Sequence, residues 1–187
     1  MTLGDMKKSA LALIEEYDAS NPLLTGDEDI SAKLNSSVNR IMYELCRYKK
    51  MPKYVEMNVA EGDVIEFSDI ESECGYEVFQ IEKARGVQYT MKANGTVIKV
   101  LESGTLELDV FVYPERITDS TKDNVYEFEI SSDLLDIMPY GIAADLLKND
   151  ISTSYGKVYS TRYEEMKRMI DPRYTLSQIT VEGGYNI

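Results

Sequence analysis

The chain has 187 residues, of which 33 are acidic and 20 basic, so its formal net charge is −13. A surface of this sign repels phosphate groups and argues against nonspecific binding of DNA or RNA. The sequence has no histidine, which removes the commonest general base and the commonest transition-metal ligand. The hydrophobic content of 43% is sufficient for a folded core.

The first 52 residues predict two amphipathic helices. The stretch Leu3–Tyr17 carries apolar residues at helical spacing, and Thr2 followed by Asp5 predicts a cap at its start. A second helix begins at Asp27–Asp29, where three acids complement the helix dipole, and we interpret them as a cap rather than a metal site. This helix is expected to end before Pro52.

Between residues 53 and 118 the apolar period changes from 3.6 to 2, which predicts six or seven short antiparallel strands. The clearest hairpin pairs Tyr89–Ala93 with Thr96–Leu101 across Asn94-Gly95, a strong turn signal. A last strand, Thr105–Tyr113, follows. We expect a small antiparallel sandwich or barrel, inserted into a helical domain.

Residues 119–174 predict the return of helical structure. A short helical turn is expected at Asp133–Asp136, then helices at Pro139–Asp150 and Ser152–Ile170. The last helix presents these apolar residues: Tyr155, Val158, Tyr159, Tyr163, Met166 and Ile170. Short helices bury such residues only by packing together, so the predicted class is α+β, with a four-helix core interrupted by the β insertion.

The segment Thr175–Ile187 is predicted to be an extended arm. Its apolar residues are Ile179, Val181, Tyr185 and Ile187, and its only charge is Glu182. Thirteen residues cannot form a core of their own, so we expect the arm to bind another subunit or a partner. The alternative is a disordered tail.

No catalytic motif is present, and the chain is predicted to be neither an enzyme nor a cofactor-binding protein. The acids Glu61, Asp63, Asp69 and Glu71 are a conceivable calcium site, but they lack the spacing of a calcium loop. Solvated turns are the preferred interpretation.

The two cysteines, Cys46 and Cys74, lie in unlike settings and are expected to be reduced thiols in a cytosolic compartment. No apolar stretch approaches the length of a membrane span, so no membrane partner is predicted.

A carbohydrate- or protein-binding β-sandwich module on a helical scaffold is an alternative hypothesis. Sugar-binding faces use exposed aromatic platforms, and the insertion has no tryptophan. Tyrosines at strand positions are the available substitutes, although such tyrosines more often serve in packing: Tyr54, Tyr76, Tyr89 and Tyr113.

Three short motifs carry a resemblance to a known family: Met138–Lys148 (MPYGIAADLLK), Tyr163–Met166 (YEEM) and Asp171–Tyr174 (DPRY). Together with the order helix pair, β insertion, helix pair and arm, they resemble the head-to-tail connector (adaptor) proteins of tailed bacteriophages. The likeness is greatest to the tail-tubular or gatekeeper-adaptor type, and it extends over nearly the whole chain. The long β insertion departs from shorter family members, so its partner is left open.

The resemblance implies a structural protein of the virion, assembled in the host cytoplasm. It implies a ring of twelve subunits under the portal, joined on its far side to a tail or nozzle protein, with genomic DNA passing through without specific binding. By the resemblance, the arm residues Ile179, Val181, Tyr185 and Ile187 contact the portal protein. The candidates for contacts between subunits are Gly141, Ala143, Ala144, Tyr155 and Tyr159.

Overall fold

A computed structural model of the chain describes residues 1–14, 28–148 and 154–172. Two helices come first, α1 (Leu3–Leu13) and α2 (Glu28–Tyr48). The predicted cap of α1 is confirmed: the Thr2 hydroxyl accepts from the Asp5 N–H at 3.2 Å, and the Asp5 carboxylate accepts from the Thr2 N–H at 3.1 Å. Helix α2 ends before Pro52, as predicted.

Six strands follow, and all their pairings are antiparallel: β1 (Met51–Val59), β2 (Val64–Glu66), β3 (Val78–Arg85), β4 (Tyr89–Lys92), β5 (Val97–Val100) and β6 (Gly104–Val112). They form two three-stranded sheets, with orders β1-β6-β3 and β2-β5-β4. Buried residues of both sheets share one hydrophobic cluster, including Val55, Ile65, Ile98 and Leu108. The predicted α+β class is therefore confirmed, while a closed barrel or sandwich stays a prediction.

The predicted hairpin is confirmed as β4 paired with β5. The last paired residues are Lys92 and Val97, and a 3₁₀ turn at Ala93–Gly95 connects the strands. Asn94 lies at φ 58° and Gly95 at φ 89°, which is the left-handed region that asparagine and glycine tolerate best.

The structure adds a helix that the sequence analysis assigned to turns, α3 (Phe67–Cys74). Asp69 accepts a hydrogen bond from the Glu66 N–H at 2.8 Å at its start, and Gly75 ends it at φ 74°. Ile70 is fully buried in the cluster shared by the sheets. The helix was missed because eight residues show too little of the helical period.

Helix α4 (Ser132–Leu146) is continuous, and α5 (Tyr155–Met169) follows it. The prediction of a separate turn before a new helix at Pro139 is wrong, because Pro139 lies inside α4. Proline lacks the N–H that an interior helical position uses. The loss is tolerated because both sides of the proline are anchored in the core, by Leu134 and Met138 before it and Ile142 after it.

The β region is attached to α2 through an aromatic cluster. Tyr113, just after β6, stacks on Tyr43 of α2 with ring centroids 4.4 Å apart, and Phe79 of β3 lies 4.7 Å from the Tyr113 ring. Arg47 donates a hydrogen bond to the Tyr113 hydroxyl. Lys50 donates to the Gln80 side chain at 2.8 Å, so the end of α2 holds both sheet neighbours β3 and β6.

Candidate functional site

The small residues of α4 allow close packing within one subunit. Gly141 and Ala143 are buried within the chain, and Ala144 is half-buried. A Cβ placed on Gly141 would lie 2.9 Å from Ile41 Cγ2 and 2.9 Å from Tyr163 Cε2. The close neighbours of Gly141 thus belong to α2 and α5 of the same chain, and the contact between subunits predicted at Gly141 and Ala143 stays a prediction.

Helix α5 is held to the rest of the helical region by the hydroxyl groups of two tyrosines. Tyr159 donates to the Leu13 carbonyl at the end of α1. Tyr163, which is 4% exposed, donates to the Glu44 carboxylate at 3.0 Å. Burial, together with the negative charge of Glu44, raises the pKa of Tyr163. Tyr159 thus has a partner inside its own subunit, whereas it was predicted at a contact between subunits.

The apolar residues of α5 differ in exposure. Tyr163 is buried, and Tyr159, Met166 and Ile170 are half-buried. Tyr155, Val158 and Met169 are 60%, 56% and 82% exposed. Val158 follows Tyr155 by three residues, and Met169 follows Val158 by eleven, so the three side chains lie along one side of the helix. We term them the α5 outer stripe. Of the predicted contact residues, Tyr155 is therefore the one available on the surface.

A groove of about 440 Å³ lies between α2, α4 and α5. Its acidic side chains already have partners: Asp145 pairs with Arg40, accepts from Ser37 at 2.6 Å and lies 3.2 Å from Lys148. Glu44 and Glu164 both bind Lys167, at 2.7 and 2.8 Å. These carboxylates are held by cations and hydroxyls, so the groove offers no unpartnered acid–base pair for catalysis.

The proposed calcium ligands have structural roles in turns and caps. Asp63 accepts from the Ala60 N–H at 2.8 Å, and Glu71 accepts from the Val78 N–H at 2.9 Å. Asp69 caps α3, as described above. In residues 1–14, 28–148 and 154–172 no group of three potential ligands is close enough to hold a metal ion.

The four tyrosines considered for sugar binding do not form a common platform. Tyr113 is buried in the junction with α2, and Tyr89 is half-buried with its hydroxyl donating to the Ala84 carbonyl at 3.0 Å. Tyr76 is half-buried beneath the Lys53 ammonium, which lies 4.2 Å from its ring. Only Tyr54 of these four is exposed, at 50%. One exposed ring gives little support to the carbohydrate hypothesis.

The predicted portal-binding residues Ile179, Val181, Tyr185 and Ile187 lie outside the described residues.

Both cysteines are unpaired. Among the described helices, none is long and apolar enough to cross a membrane.

No protein-family model matches the sequence, and a search of curated proteins found no match.

Proposed function

We propose that this protein is a structural head-to-tail connector of a tailed bacteriophage, which forms a ring under the portal and joins the DNA-filled head to the tail. The observation that carries the proposal is the arrangement of helices around a β insertion. Helices α1 and α2 precede the six strands, and α4 and α5 follow them and pack back against α2. The motifs that resemble the family lie largely in α4 and α5.

The distribution of apolar surface supports an assembly role for α5. A helix that packs on one side through Tyr163 and carries Tyr155, Val158 and Met169 on another has apolar area left for a neighbour. In the proposed ring, the α5 outer stripe contacts the adjacent subunit, while Ala144 lines the groove between α2, α4 and α5.

The net charge supports the passage of DNA through the ring. An excess of 13 acids over bases makes the wall of a channel repel phosphates, so the genome moves without adhering. The proposed ring has twelve copies, docks to the portal by its arm, binds a tail or nozzle protein on its far side and is a component of the virion.

The arm provides the direct test of the proposal. Ile179 and Val181 alternate with Gln178, Thr180 and Glu182, so an extended arm has one apolar and one polar face. Burial of two or three apolar side chains on the portal contributes about 1.5–3 kcal/mol each before ordering costs. We expect Ile179→Asp with Val181→Asp to prevent head–tail joining and to leave DNA-filled heads without tails.

The matched control places the same two charges on the other face of the arm, as Gln178→Asp with Thr180→Asp. We expect this variant to assemble on the portal, and deletion of Thr175–Ile187 to abolish assembly while the rest of the chain stays folded. Electron microscopy of particles and circular dichroism of the purified variants separate assembly from folding. Normal infectious particles from the Ile179→Asp, Val181→Asp variant contradict the proposal.

A further inference from the structure

The outer face of the β2-β5-β4 sheet carries two lysines. In the register of this sheet Lys99 lies between Val64 and Thr90, and the next outward row joins Glu66, Val97 and Lys92. Residues two apart in a strand point to the same side, so Val97 and Lys99 share one face of β5. Ile98 and Val100 alternate with them and point into the core. Neither lysine forms an ion pair with another residue of the described chain. We term Lys92, Lys99 and Val97 the basic face.

The sequence around this face is segregated by charge. Residues 83–101 contain four bases and no acid, in a chain whose acids outnumber its bases. Arg85 of this group is bound by Glu107 and Asp109, at 2.7 and 3.2 Å, so Lys92 and Lys99 carry the accessible charge together with Lys83. Val64 is 54% exposed beside them, which adds apolar area to the same surface.

The opposite charge is concentrated in one neighbouring stretch. Residues 61–77, which contain β2 and α3, include seven acids and no base. Glu73 and Glu77 are both exposed. Glu73 lies in the last turn of α3, where the helix dipole disfavours a negative charge, so helix stability does not account for it. We term residues 61–77 the acidic segment.

Lys92 lies on the edge strand β4 and Lys99 on the central strand β5. Strand β2, which leads into α3, forms one edge of the sheet, and β4 forms the other. Two different, electrostatically complementary surfaces on one unit favour a heterologous contact, in which each copy uses both surfaces with different neighbours.

We infer that the basic face of one copy docks against the acidic segment of the next copy, so that the β insertions bind each other head to tail. The inference rests on the proposed ring and gives the insertion its partner, a second copy of this chain. At physiological ionic strength charges beyond about 8 Å are screened. The local complementarity therefore outweighs the repulsion between the net charges of the two copies.

Carbodiimide cross-linking of mixed ¹⁴N and ¹⁵N protein tests the contact, because this reagent joins a lysine to a carboxylate at zero length. The experiment uses the full chain at about 1 mM, with sedimentation reporting the oligomeric state. We expect mixed-isotope peptides that join Lys92 or Lys99 to an acid of residues 61–77. Links only within one isotope, or a protein that stays monomeric at this concentration, overturn the inference.

Charge reversal gives a second test. We expect Lys92→Glu with Lys99→Glu to weaken self-association at least tenfold, and the further changes Glu73→Lys and Glu77→Lys in the same chain to restore it. Restoration is expected because every copy supplies both surfaces. Lys8→Glu with Lys122→Glu is the matched control, with the same change of net charge outside the β region, and it should associate like the unaltered chain.

Circular dichroism checks that each variant is folded, and Lys92→Gln with Lys99→Gln replaces the reversed variant if that variant is not. Unchanged association of the folded lysine variants overturns the inference, as does failure of the four-residue reversal to restore it. Duplex DNA that binds through the two lysines, with no link between copies, overturns it in favour of nucleic acid.

Portal binding separates this inference from the proposed function. A chain that self-associates through these surfaces but ignores the portal supports the contact and contradicts the connector proposal. Lysine variants that assemble on the portal as the unaltered chain does contradict the contact and support the connector proposal.

Discussion

The side-chain amide of Asn39 makes two hydrogen bonds to the backbone of Ile117. Its Nδ2 donates to the Ile117 carbonyl at 2.7 Å, and its Oδ1 accepts from the Ile117 N–H at 2.9 Å. Ile117 follows β6 and its side chain is 2% exposed in the helical core. These two hydrogen bonds fix the chain that leaves the β region to the middle of α2.

We expect Asn39→Ala to destabilise the protein by about 2–3 kcal/mol, because both backbone groups of Ile117 lose their partners in a partly buried setting. Asn39→Asp keeps the acceptor and should cost less. Urea denaturation measures the free energy of unfolding of each variant. Ser36→Ala, an exposed change on the same helix, is the control and should stay within about 0.5 kcal/mol. A similar small effect at Asn39 contradicts the proposed anchoring.

Gly141 is expected to be required for the approach of α4 to α2 and α5. An added methyl group meets Ile41 Cγ2 and the Tyr163 ring at 2.9 Å, a contact that costs about 1–3 kcal/mol. Alanine is favoured over glycine within a helix by about 1 kcal/mol, so the net loss for Gly141→Ala should be about 1 kcal/mol. A double-mutant cycle with Ile41→Ala should show a smaller cost of the methyl group in that background. Additive effects in thermal unfolding contradict the contact.

The parts of the fold that could be predicted are those with a repeated local signal. A few neighbouring residues are enough to predict each of three features: the cap formed by Thr2 and Asp5, the turn at Asn94-Gly95, and the strand β6 with its alternating pattern. The continuity of α4 through Pro139 could not be predicted, because it depends on burial of residues on either side of the proline. Helix α3 likewise depends on a tertiary contact, because Ile70 is buried in the hydrophobic cluster shared by the two sheets.

The neighbours of the candidate contact residues could not be predicted for a related reason. A small residue such as Gly141 has the same appearance whether its close neighbour belongs to the same chain or to another. The separation of Tyr155 from Tyr163 onto two faces of α5 depends on where α1 and α2 pack. The charge segregation between residues 61–77 and 83–101 is visible in the sequence, but the strand order is needed to place Lys92 on the edge strand opposite β2 and Lys99 on the strand between them.

We expect neither EDTA nor millimolar calcium to change the melting temperature by more than about 1 °C, since a ligand stabilises only what it binds. The physical reason is that the carboxylates of Asp63, Asp69 and Glu71 each accept a hydrogen bond from a backbone N–H in a turn or helix cap. Magnesium and sodium chloride at equal ionic strength are the controls. A rise of many degrees specific to calcium shows that residues 61–71 bind the ion.

The Cys46 thiol is expected to make stability fall at alkaline pH. Burial raises the pKa of Cys46 from 9.0 to about 12 in the folded protein. The folded state therefore keeps its proton while the unfolded state loses one above pH 9. The stabilisation from the buried neutral thiol is complete below pH 9 and declines as the pH rises toward 12. Between pH 8.5 and 10 we expect a loss of about 1 kcal/mol from this group.

Urea denaturation of Cys46→Ala over the same pH range measures the free energy of unfolding, which should depend on pH less than in the unaltered chain by that amount. Cys74→Ala, at a half-buried position, is the matched control. Equal slopes for the unaltered chain and Cys46→Ala contradict the assignment, as does rapid labelling of both thiols by a thiol reagent in the folded protein.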